Sequence, residues 1–167
     1  MRCMERRALL GMAATLCAGA AWAHETGQHA SHHRPAPAAA QQQHPWGIAG
    51  DAKAARRTIT LRMGDDMRFT PSHFSVRLGE TVRLRVENRG RLLHEIVLGT
   101  PQALAAHAEH MRHNPGMAHD EAHMAHVPAG QAGELVWRFN RAGRFAFACL
   151  VPGHFEAGMR GSFTVEP

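Results

Sequence analysis

The 167-residue chain is short of three things. It has only three cysteines, Cys3, Cys17 and Cys149. It has no run of five like charges and no basic helix. Beyond its N-terminus it has no apolar stretch long enough to cross a bilayer. Each shortage excludes something. Lys and Arg number 19 against 14 Asp and Glu, and without residues 1–23 the balance is 16 against 13. So mild and scattered an excess does not point to nucleic acid as a partner. With no second apolar segment, nothing holds the chain stably in a membrane once the N-terminus is removed.

That N-terminus reads as a signal peptide over residues 1–23. Arg2, Arg6 and Arg7 form a positive start, Ala8 to Ala21 is apolar, and Ala21-Trp22-Ala23 fits the small-x-small cleavage rule. Arg6-Arg7-Ala8-Leu9-Leu10 also resembles a twin-arginine signal. Cys17 follows the bulky Leu16 and is a poor lipoprotein cysteine. The expected result is a periplasmic protein beginning at His24. Cys3 and Cys17 leave with the signal, so Cys149 remains alone in an oxidising compartment. A single thiol there cannot form an internal disulfide and needs another reason to be present.

Residues 24–52 hold His24, His29, His32, His33 and His44 among Ala, Gln, Pro and Gly. This composition predicts a disordered, histidine-rich arm. One domain is expected over 53–167, with an insertion at 101–128. Period-two alternation marks strands at 58–63, 67–70, 73–76, 81–87, 92–98, 133–139, 143–149 and 161–165. The clearest is Thr81 to Glu87, with Val82, Leu84 and Val86 inward and Arg83, Arg85 and Glu87 outward. The insertion opens with a helix-forming stretch, Gln102 to Met111, and continues as a His/Met-rich run. Many short strands with Gly/Pro turns predict an all-β fold, an antiparallel Greek-key β-sandwich with a partly helical insertion. Trp137, Phe139, Phe145 and Phe147 lead its core.

The stretch that decides the chemistry is Cys149-Leu-Val-Pro-Gly-His154-Phe-Glu-Ala-Gly-Met159. It places a thiol, an imidazole and a thioether five residues apart, at the end of a strand. Two imidazoles, a thiolate and a weak axial thioether make a type 1 copper site, which suits Cu(I) and Cu(II) alike. His94 in the strand 92–98 is the candidate for the second imidazole. Pro152-Gly153 turns the loop so that His154 returns beside the sulfur, and Gly158 lets the chain bend again before Met159.

Phe145 to Gly161 resembles the C-terminal copper loop of the cupredoxins, the plastocyanin and azurin superfamily, and Leu93 to Gly99 resembles their upstream histidine strand. The resemblance spans residues 56–167. It is strongest to periplasmic cupredoxins associated with copper tolerance, which also carry a His/Met-rich insertion and a His-rich arm. It implies one type 1 copper held by His94, Cys149, His154 and Met159. Two departures stand out. The family usually has Asn after the first ligand histidine, where this chain has Glu95, so the hydrogen bonds around the thiolate cannot be carried over. The Cys-to-His spacing is also longer than in plastocyanins.

Copper binding, homeostasis and tolerance is therefore the expected function. Further loosely bound copper is expected at His24 and at His107, His110, Met111, Met117, His119, His123, Met124 and His126. The alternative is a dedicated electron carrier with a respiratory redox partner, for which the type 1 site alone suffices. An enzyme is disfavoured. There are no His-x-His pairs of the kind that build a trinuclear cluster, and no second cupredoxin domain.

Overall fold

Alternation along the chain becomes two packed sheets. The computed structural model describes residues 42–114 and 120–167. In one sheet the order is β1 (Ile48–Ala49), β8 (Ala132–Arg138), β5 (Thr81–Asn88), β2 (Arg57–Gly64) and β3 (Arg68–Thr70). In the other it is β4 (His73–Arg77), β10 (Arg160–Glu166), β9 (Gly143–Ala148), β6 (His94–Gly99) and β7 (Met124–Val127). β5 shows why the chain folds this way. Val82, Leu84 and Val86 are fully buried, while Arg83 and Arg85 turn outward and Arg83 pairs with Glu134 of β8. Between the sheets lie Trp137, Phe139, Phe147 and Phe163, with Phe74 stacked on Phe163 at 5.3 Å. Burying apolar surface of this kind is the dominant favourable term in folding.

Three features differ from the expectation. The sandwich is mixed, because β2 runs parallel to β5 and β4 parallel to β10; the remaining strand pairs are antiparallel. Order begins before residue 53. β1 pairs with β8, Trp46 is buried, and Trp137 Nε1 donates to the Trp46 carbonyl at 3.0 Å. Two aromatic residues thus fasten a segment whose composition otherwise reads as solvated; residues 24–41 lie outside the described residues. Finally, the His/Met-rich run ends in a strand. β7 pairs antiparallel with β6, His94 opposite Val127 and Glu95 opposite His126.

The expected helix is α1 (Pro101–His113). Thr100 caps it, its side-chain oxygen accepting from the Ala103 N–H at 3.1 Å, and Pro101 fills the first turn where no N–H is needed. Leu104, Ala108 and Met111 form its buried face. Leu104 and Ala108 pack with Val97, Met124, Ala148 and Leu150 in a second apolar cluster. Among the described residues no helix is long and apolar enough to cross a membrane.

Candidate metal centre

β6 and β9 are antiparallel neighbours with Val97 opposite Ala148. The start of β6 and the end of β9 therefore lie at the same end of the sheet, which brings His94 beside Cys149. The loop that follows Cys149 closes on itself. The Cys149 N–H donates to the Met159 carbonyl and the Met159 N–H to the His154 carbonyl, both at 3.0 Å. Two bends in it use positive φ, +88° at Gly153 and +95° at Gly158, a region that glycine enters without a Cβ clash. The Arg68 guanidinium, from the other sheet, donates to the Ala157 carbonyl at 2.8 Å and steadies the outer part of the loop.

His94, Cys149 and His154 converge, with their donor atoms all within 4.8 Å of one another. His154 Nδ1 lies 3.3 Å from Cys149 Sγ and 3.2 Å from His94 Nδ1. His94 and Cys149 are fully buried, and His154 is half-buried. Met159 is fully buried in the same core cluster as Cys149. One sulfur and two imidazole nitrogens facing each other at such distances suit a soft or borderline cation. Copper is the metal that the donor set fits.

The surroundings set the chemistry of each donor. Burial pushes the Cys149 thiol up to about 12, against the opposing pull of the Glu95 and Val151 backbone N–H groups. The thiol therefore keeps its proton until a cation displaces it. Burial, with the neighbouring His94 second, lowers the His154 imidazole and keeps it a neutral donor. On the far side of His94, Nε2 lies 3.4 Å from Asp65 Oδ1. Asp65 is itself fixed by the Arg91 and Leu92 N–H groups, at 2.9 to 3.2 Å, and these hold its carboxyl below the usual range. A carboxylate behind a histidine orients the ring for a metal in front of it.

Glu95, the departure at the asparagine position, is buried beneath the loop. Its N–H donates to Cys149 Sγ at 3.4 Å, and its Oε1 accepts from the Leu150 N–H at 2.8 Å. Its Oε2 lies 2.8 Å from His126 Nε2. The hydrogen bonds to the sulfur thus come from the backbone N–H groups of Glu95 and Val151, and the carboxylate ties the two segments together.

A family model for copper-binding proteins of the plastocyanin/azurin type matches residues 56–166. The chain belongs to that family. As a cupredoxin it has copper as its cofactor. It is 47% identical over 157 residues to a copper-resistant cuproprotein, CopI, of Rubrivivax gelatinosus, covering 92% of this chain and 95% of the relative. It is 36% identical over 154 residues to the CopI of Pseudomonas aeruginosa, covering 73% and 83%. Solved auracyanins share the fold. Auracyanin B superposes with a TM-score of 0.61 at 24% identity, over 72% of this chain and 95% of that one. The auracyanin of Roseiflexus castenholzii gives 0.59 at 23%, over 68% and 99%.

Among the described residues, the other metal-binding candidates of this cupredoxin do not gather into one cluster of three or more. Met124 packs into the second apolar cluster and Met111 is buried on the helix. His107 and His110 lie on α1. His126 is engaged by Glu95 and by Asp120, the latter at 3.5 Å. His123 is buried beside Trp46. His24, Met117 and His119 lie outside the described residues. Asp65 was not a sequence candidate, because a carboxylate in a Gly-Asp-Asp turn carries no signal of the imidazole it will meet.

Proposed function

We propose that this cupredoxin is a periplasmic type 1 copper protein of copper homeostasis and tolerance, with His94, Cys149, His154 and Met159 as ligands. The observation that carries the reading is the convergence of one thiol and two imidazoles at the end of two neighbouring strands. Likeness along nearly the whole length of a relative named for copper resistance supports the physiological half. Bound copper would supply one-electron chemistry between Cu(I) and Cu(II). The protein's part is positional. Asp65 sets the His94 ring, Glu95 ties the Cys149 loop to β6, and the loop's own hydrogen bonds hold His154 and Met159. Four donors leave a substrate no open position, so the role is binding rather than catalysis.

A second reading, electron exchange with a redox partner, is favoured by one surface feature. Leu92 and Leu93, immediately before His94, are each nearly half exposed, and exposed apolar residues of this kind suit docking.

Copper titration of residues 24–167 tests the ligand set. An intense thiolate-to-copper visible band is expected to saturate at one equivalent and to vanish in Cys149→Ser. Growth on copper tests the role: a strain lacking the protein should be rescued by the native chain and not by Cys149→Ser. Equal rescue by both would sink the tolerance role of this site.

A further inference from the structure

The two histidine-rich stretches of the sequence meet in the fold, away from the ligands above. His44 lies in the turn before β1, and His123 just before β7. Their ring centroids are 4.7 Å apart, with planes inclined at 50°. His44 stacks on the Trp46 indole at 4.7 Å and 30°. His123 meets the same indole edge-on at 5.5 Å. Trp137 lies 5.8 Å from the His44 ring and 6.2 Å from the His123 ring.

Both imidazoles hang from fixed backbone. His44 and Gly47 exchange two N–H···O bonds, at 2.8 and 3.2 Å. The same turn accepts the Trp137 indole N–H from β8. The His123 carbonyl accepts the Leu98 N–H of β6 at 3.0 Å. The pair is thus assembled from an anchor on each sheet, and neither ring depends on a free loop for its place.

The pair also faces an opening of mixed lining, where Gln42 and Glu121 stand beside Ala49 and Ala122. A cavity of about 330 Å³ is bounded by Gln42, His44, Glu121, His123 and Trp137. Glu121 Oε2 lies 3.3 Å from His123 Nδ1. The carboxylate brings a negative charge to the edge of the pair, where a cation gains from it. His123 is buried and His44 half-buried, and both rings border the cavity together with the Trp137 indole. The space is ample for an ion and its remaining water ligands.

We propose that His44 and His123 form a second metal site, which takes one Cu(II) between the two imidazoles with water from the cavity completing its coordination. Imidazole nitrogen suits Cu(II) and Zn(II), whereas Ca(II) and Mg(II) require a cage of oxygens. The site deepens the copper-handling role and rests on that reading. It assigns a purpose to one histidine of the arm and one of the insertion, and makes their packing around Trp46 part of metal uptake.

The two indoles that flank the pair provide the readout. The exported protein, residues 24–167, contains only Trp46 and Trp137. It is titrated with Cu(II) until the visible band saturates, and then further, following indole fluorescence and bound copper. One additional equivalent is expected, with a second quenching phase. His44→Gln should abolish that phase and lower bound copper by one, and Glu121→Gln should weaken the phase about 10-fold. The visible band should stay intact in both, which also certifies the fold. Replacing His24, His29, His32 and His33 together should leave the phase in place. The site is refuted if the native protein shows no second phase, or if His44→Gln retains it. A missing visible band, by contrast, would count against the type 1 ligand set and leave the second phase to be read on its own.

Discussion

Glu95 Oε1 accepts the Leu150 backbone N–H at 2.8 Å, linking the residue after one metal-binding candidate to the residue after another. The bond is buried and joins β6 to the chain leaving β9. Its other oxygen meets His126 of β7, so one carboxylate spans three neighbouring segments of the sheet. Glu95→Ala would leave the Leu150 N–H buried without this acceptor, at a cost of about 1–3 kcal/mol. The variant should melt earlier and show a shifted, broadened visible band. Glu95→Gln retains an acceptor for Leu150 and should melt closer to the native protein. Thermal unfolding and the visible spectrum of both variants check this.

Asp65 should matter for copper affinity more than for folding. It sits behind His94 and orients the ring. Asp65→Ala is expected to weaken copper binding about 10- to 100-fold, and Asp65→Asn, which can still accept hydrogen bonds, by less. Competition with a copper chelator measures the difference. Because its carboxyl is held below the usual range, the stability Asp65 contributes is present at neutral pH and is lost as pH falls through the acid range.

Stability of the copper-free protein should decline in alkali. The folded state holds the Cys149 proton up to about 12, whereas the usual value is 9.0. Between those values the unfolded chain has lost the proton and the folded chain has not, so stability falls as pH rises. The contribution is full below 9.0 and amounts to at most ~4 kcal/mol across the window. Cys149→Ala should flatten that part of the profile, and denaturant midpoints from pH 8 to 12 would show whether it does.

Met159 separates packing from ligation. It is fully buried, so Met159→Ala should cost about 2–5 kcal/mol, whereas Met159→Leu conserves volume and should cost under about 1.5 kcal/mol. Met159→Leu should nonetheless shift the reduction potential and the visible spectrum, because the weak axial donor is gone. An unchanged potential in Met159→Leu would remove Met159 from the ligand set.

Much of this arrangement was legible in the sequence because local pattern and chemistry agreed. Val82, Leu84 and Val86 alternate cleanly and are all buried. The spacing of Cys149, His154 and Met159 reads as a single loop, and His94 was reachable as the histidine of a strand. What stayed hidden depends on contacts between distant segments. Ile48 and Ala49 are too few to show a period, and they become a strand only because β8 offers an edge. Met124 and His126 read in the sequence as part of a His/Met-rich run, yet pairing with β6 draws Met124–Val127 into the sheet and turns Met124 inward. The parallel pairs were illegible for a similar reason, since alternation shows which way side chains point and not which way a neighbour runs. Asp65 and His94 are 29 residues apart, and no spacing rule connects them.

All three converging donors belong to one sheet: His94 opens β6, Cys149 follows β9, and His154 sits on the loop that leads into β10. Sliding or thermal breathing between the two layers therefore leaves their mutual distances unchanged. Only the braces from the opposite layer, Asp65 and Arg68, feel such motion. The sandwich can soften, or drift in sequence on its far face, while the distances that govern the metal's electronic properties stay constant.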